Sequence, residues 1–157
     1  RDSKSRLINS PDTLKKNIKT YLNTLRLISD GIDILDASIV NLRFEYYFSP
    51  DPFTNPSSII IEVNRRLREF LDIRNMQIDK PIVISELIGI IQSTRGVMSV
   101  DTSRTKMQNL FSNFEGREYS SEIFNVVANT RNNILFPPVG GIFEFRYLTN
   151  DIVGNVI

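Results

Sequence analysis

The sequence predicts an α+β domain: a small, mostly antiparallel sheet with two helices on one face, preceded by an N-terminal helix. Three observations predict it. Residues 40–48 alternate strictly between apolar and polar side chains. Two later segments repeat apolar residues at spacings of three and four behind a Pro or Ser start signal. The elements run helix, strand, strand, helix, helix, strand, loop, strand, without the regular alternation that builds a parallel sheet.

The first helix is expected over residues 11–28. Ser10 is a natural N-cap, Pro11 suits the first helical position and Asp12 favours the positive helix start. Leu14, Ile18, Tyr21, Leu22, Leu25 and Ile28 then fall on one face. Asp30-Gly31 breaks the helix. Ile32 and Ile34 suggest a short strand before a turn at Asp36-Ala37. In the next strand Val40, Leu42, Phe44, Tyr46 and Phe48 point one way, and Asn41, Arg43, Glu45 and Tyr47 the other. Ser49-Pro50-Asp51-Pro52 stops it. Asn55-Pro56 opens a helix over 56–72 with Ile59, Val63, Leu67, Phe70 and Leu71 as its apolar stripe. Ser85 is placed to cap a helix over 86–94 carrying Leu87, Ile88, Ile90 and Ile91; Val63, Leu67, Ile88 and Ile91 are expected to be the side chains that cover the sheet. Gly96 closes this helix, where a left-handed residue is cheap only as glycine, and Val97, Met98 and Val100 begin a strand. From Lys106 to Asn133 the pattern weakens, with a hairpin or excursion expected over 113–121. Pro137-Pro138 and Gly140-Gly141 bracket a turn, and Ile142, Phe143, Phe145 and Tyr147 read as a last strand. The domain reading is a helical lead over 1–30 and an α+β domain over 31–157. A start at Arg1 reads as a fragment or a processed chain.

Composition narrows the chemistry. The 157 residues are 41% apolar and 24% charged, ordinary for a domain with one core, and the formal net charge of +1 sets up no strong field toward nucleic acid or an anionic membrane. No apolar run reaches the length of a membrane span. There is no Cys, hence no thiol nucleophile, thiolate site or disulfide, which fits a reducing compartment. There is no His, the usual general base and commonest metal ligand, so His-dependent triads are impossible within this chain.

The remaining polar candidates read as structure. Asp30, Asp33 and Asp36 recur every three residues but lack the spacing, central Gly and closing Glu of a calcium loop, and read as turn residues. Gly140-Gly141 is not followed by Lys and Ser or Thr, so it is no phosphate loop. Asp101, Glu115, Glu118, Glu122 and Glu144 show no paired spacing for acid–base work, and Ser99, Ser120 and Ser121 sit in no nucleophile motif. No catalytic, cofactor-binding or metal-ligating residue is assigned, and no cofactor or small-molecule substrate is expected. Arg65, Arg66 and Arg68 could grip phosphate, but acidic neighbours dilute them; they read as a solvated helix face or a protein–protein rim. Ile152, Val153, Val156 and Ile157 form an apolar tail, expected to lie against the first helix or a neighbouring copy.

Three segments in order carry a resemblance. The first runs from Tyr21-Leu22 through Asp30-Gly31-Ile32 to Ile39-Val40-Asn41 and an aromatic strand. The second runs from Met76-Gln77-Ile78 through Pro81-Ile82, Ser85 and Leu87 to Gly96-Val97 and Ser99-Val100. The third holds Phe136-Pro137-Pro138, Ile142-Phe143-Glu144-Phe145, Asp151-Ile152 and Gly154. Together they resemble the baseplate wedge subunit of T-even-type contractile-tailed phages, within the baseplate J-like family; residues 103–131 depart from its pattern. The resemblance implies the C-terminal domain of a longer virion structural protein. Such a protein sits in the inner baseplate, is assembled in the host bacterial cytoplasm, joins wedges into a ring around the tail tube, and contacts other wedge proteins and itself, with no cofactor, membrane or nucleic-acid partner. Homo-oligomeric, dimer-type contacts are expected, through a sheet edge or the first helix. A bacterial contractile injection system or tailocin would use an equivalent subunit. A small nucleic-acid-binding module is the alternative from another class; it would need aromatic residues on an exposed sheet face, where Tyr47 is the clear one. An enzyme is the reading least compatible with the missing His and Cys.

Overall fold

The computed structural model describes residues 6–25 and 31–157. Its elements follow in the order α1 (Asp12–Asn23), β1 (Ser38–Pro50), α2 (Pro56–Phe70), a 3-10 turn (Ile73–Asn75), β2 (Ile82–Val83), α3 (Ile84–Gln92), β3 (Val97–Val100), β4 (Lys106–Leu110), β5 (Asn113–Phe114), β6 (Arg117–Glu118), β7 (Thr130–Arg131), β8 (Ile134–Leu135), β9 (Gly141–Glu144) and β10 (Ile152–Val156). The chain divides into two compact units, Arg1–Ala37 and Ser38–Ile157, so residues 31–37 group with the helical lead.

In the first unit α1 is shorter than its apolar pattern. Pro11 occupies the cap position, where it offers no side-chain acceptor. Ser10, expected as the cap, instead donates its backbone N–H to Asp36 Oδ1. The helix closes after Asn23, where the Thr24 hydroxyl and N–H both bond the Tyr21 carbonyl. Ile28 and Asp30 lie outside the described residues. No strand forms at Ile32 and Ile34. That segment returns along α1, with Lys15 Nζ 2.6 Å from Asp36 Oδ2 and Lys19 Nζ 3.4 Å from Asp33 Oδ1. The hydrogen bond from Lys15 holds the Asp36 carboxyl below its usual range. Leu14, Ile18, Tyr21 and Leu25 remain exposed, and no residue of α1 is buried.

The second unit is organised by β1. β9 and then β10 lie end to end along one edge of it, both parallel, while β4 and then β3 lie along the other, both antiparallel. Asn41 thus sits between Leu110 and Glu144, Phe44 between Met107 and Ile152, and Phe48 between Val100 and Val156. With the small sheet β2-β8-β7 and the hairpin β5-β6, five of the seven strand pairings among the described residues are antiparallel. The single last strand expected from Ile142 to near Thr149 is interrupted, ending at Glu144. The N–H groups of Asn150 and Asp151 both donate to the Tyr147 carbonyl, which pulls the chain off the edge and returns it at Ile152.

The two-residue period of β1 makes the core. Val40, Leu42, Phe44, Tyr46 and Phe48 are fully buried under Ile59, Val63 and Leu67 of α2, Leu71 just beyond it, and Leu87 and Ile91 of α3. Asn55 caps α2 as expected, accepting from Ser57 N–H at 2.9 Å, with Pro56 at the first helical position. α3 starts earlier than expected, directly from β2. Ser85 is therefore an exposed residue of its first turn and not its cap, and the inward stripe is Ile84, Leu87 and Ile91, leaving Ile88 half-buried. Gly96 adopts φ +92°, the left-handed closure the sequence asks for. Among the described residues no helix is long and apolar enough to cross a membrane.

Candidate interaction surfaces

The three arginines picked out on α2 are engaged within the fold. Arg65 forms a fork with the Glu62 carboxylate and reaches Glu69 one turn on, which raises its own pKa and lowers that of Glu62. Arg66 Nη1 donates to the Ile90 carbonyl at 3.2 Å and to Thr94 Oγ1 at 2.9 Å, tying α2 to the C-terminal end of α3. Arg68 Nε donates to the Leu148 carbonyl, holding the loop between β9 and β10. They do not form one patch: Arg65 faces solvent, Arg66 faces α3, and Arg68 faces the β10 side.

The tail lies against protein within its own unit. Its chain becomes β10, a parallel partner of β1 that also packs under α2. Ile152 is buried and Val153 half-buried, while Val156 is 43% and Ile157 47% exposed. Gly154 passes over Tyr46, whose hydroxyl donates to Asn64 Oδ1 of α2 at 2.9 Å. Burial pushes the Tyr46 phenol well up, so it stays a donor.

The second face of β1 is the wetter one, as expected: Arg43, Glu45 and Tyr47 are half-buried where the opposite face is fully buried. At Asn41, however, the excursion after β4 covers a buried polar layer. Asn41 is fully buried; its Nδ2 donates to Glu144 Oε2 at 2.7 Å and its Oδ1 accepts the Ser120 N–H at 2.6 Å. Arg146 Nε supplies Glu144 with a second donor at 3.0 Å. Ser120 Oγ donates to the Ile39 carbonyl, and Asn109 bridges the Asn41 carbonyl to the Phe124 N–H. Beside this lies Asp151, accepting the Tyr119 hydroxyl at 2.7 Å and the Tyr147 N–H at 2.8 Å. Arg43 Nε sits 3.2 Å from Glu45 Oε1 but out of line for a hydrogen bond, while its guanidinium lies over the Phe114 ring. Each buried carboxyl group thus accepts from at least two donors, both at Oε2 in Glu144 and one at each oxygen in Asp151, which is what makes its burial tolerable. The network fastens the 111–124 excursion to the sheet. Sequence periodicity does not disclose it; Glu144 within Ile142-Phe143-Phe145 is the one signal of a carboxylate with a buried partner.

Burial raises the Asp151 carboxyl above its ordinary value, against the opposing pull of the Tyr147 N–H, the Tyr119 hydroxyl and the charges of Arg117 and Arg43. A group with a raised folded pKa contributes stability that is fully present below its unfolded pKa, about 4, and is lost as pH rises through the folded value. Asp151→Asn carries no such titration. Its stability relative to wild type is expected to improve between about pH 4 and pH 7, measured as the difference in urea midpoints; a difference independent of pH would contradict the assignment.

Among the described residues no group of three or more Asp or Glu side chains is placed to hold a metal ion. Two shallow grooves, of about 460 Å³ beside Asn129 and Phe136 and about 650 Å³ beside Phe70 and Pro81, gather no convergent set of polar groups. In the larger, Arg74 pairs with Asp72 and Lys80 Nζ donates to the Asn75 carbonyl. Comparison with protein-family models finds no match, and comparison with curated proteins finds none either.

Proposed function

We propose that the chain is a structural subunit of a contractile-tail baseplate, a wedge domain that helps join wedges into a ring through contacts with other wedge proteins and with copies of itself. The observation that carries the reading is the ordered set of three sequence segments, above all the middle one. There a helix, a left-handed Gly96 and a strand follow in direct succession as α3 and β3. The use of the buried carboxylates and of Arg66 and Arg68 as internal fasteners supports it, because these groups rigidify a building block and none is left poised over a cleft. Mass spectrometry of tail fractions from purified particles tests the proposal. The chain is expected in the baseplate fraction in several copies per particle. Its recovery only in the particle-free lysate would refute a virion role.

A further inference from the structure

We propose that the outer edge of β10 is a self-pairing surface, at which two copies of this chain join β10 to β10 antiparallel about a two-fold axis through Gly154, continuing the sheet from one copy into the next. This deepens the structural reading above and rests on it.

The parallel pairing with β1 decides which groups face outward. Phe44 N–H donates to the Asp151 carbonyl and Ile157 N–H to the Phe48 carbonyl, so residues 151, 153, 155 and 157 turn their backbone groups toward β1. Ile152, Gly154 and Val156 therefore turn theirs to the outside, where among the described residues of this unit no strand lies. The other edges are protected. Gly141 of β9 accepts the Asp79 N–H, the Met98 carbonyl of β3 accepts from Gln92, and β4 opens with exposed Lys106. Residues 152–157 hold no charge and no proline, the usual devices that keep an edge from pairing.

The edge is also self-complementary. With Gly154 on the axis, Ile152 faces Val156 of the other copy, and every outward N–H meets an outward carbonyl. No like charges meet across the axis. The apolar border continues onto α2. Ile61 lies seven residues before Arg68, which reaches the loop leading into β10, so two helical turns place it on the same side; it is 70% exposed. Pairing of the edges brings the two α2 helices alongside one another and covers Ile61 and Val156 in both copies.

The chain has no cysteine, so an introduced pair reports this register alone. Val153 and Asn155 would face Asn155 and Val153 of the partner at a closely spaced position, within disulfide reach. The full chain carrying Val153→Cys and Asn155→Cys is expected to give a reductant-sensitive covalent dimer under mild oxidation. Sedimentation velocity is expected to show wild type associating with concentration. Val156→Lys, at an exposed position, is expected to weaken that association at least about tenfold with an unchanged melting temperature. Association that survives Val156→Lys, with no cross-link, overturns the β10 edge while leaving self-assembly standing. A monomer at every concentration, with no cross-link, overturns it outright. Absence from particles, by contrast, refutes the baseplate reading itself. Should Val156→Lys fail to fold, the cysteine pair decides alone.

Discussion

Gly154→Ala is expected to remove at least about 2–3 kcal/mol of stability, at the upper end of what overpacking a core costs. A Cβ built on Gly154 lands well inside contact distance of the Tyr46 hydroxyl and ring, and neither can retreat. Tyr46 is fully buried between Phe44 and Phe48, and its hydroxyl is fixed to Asn64 of α2. Relief requires lifting β10 off β1 or pushing Tyr46 into α2, which breaks that hydrogen bond as well. A urea melt reads the loss. Tyr46→Phe combined with Gly154→Ala should recover part of it, because the hydroxyl is the nearest obstacle. A stability within about 0.5 kcal/mol of wild type for Gly154→Ala would mean that β10 does not cross Tyr46.

Leu67→Ala is expected to cost about 2–5 kcal/mol, the range for opening a cavity in a packed core. Leu67 is fully buried on the inward stripe of α2, between Val63 and Leu71. Arg66 and Arg68 on either side anchor the helix to α3 and to the loop before β10, so the backbone is poorly placed to collapse into the void. Phe70, assigned by sequence to the same stripe, is partly exposed at the end of the helix, and Phe70→Ala is expected to cost clearly less. Equal losses at the two positions would contradict the helix register.

These two sites mark where the sequence was legible and where it was not. β1 and α2 carry strong periods over many residues, so their faces and the Leu67 environment follow from pattern alone. α3 is short and apolar on more than one side, which is why the inward residue shifts from Ile88 to Leu87 once the helix starts at Ile84. β2, β7 and β8 are two residues each, too short to show a period. The docking of the tail follows from four apolar residues in seven, but its partner does not. Parallel pairing with β1 joins segments far apart in the chain, and no local signal specifies it. The buried layer of Asn41, Glu144 and Ser120 was hidden for a related reason: polar residues on alternate strand positions read as a wet face until something is found to cover them. Of the candidate residues, the tail packs on β1, Arg66 and Arg68 fasten α2 to its neighbours, and Arg65 stays on the solvated face, paired with Glu62 and Glu69.

The role proposed for this chain is that of a building block in a contractile-tail baseplate. Electron microscopy of assembled particles in which the chain carries a gold label tests it most directly. The account predicts several labels per particle, grouped at the baseplate around the tail tube. Unlabelled particles, or labels confined to another part of the particle, would contradict it.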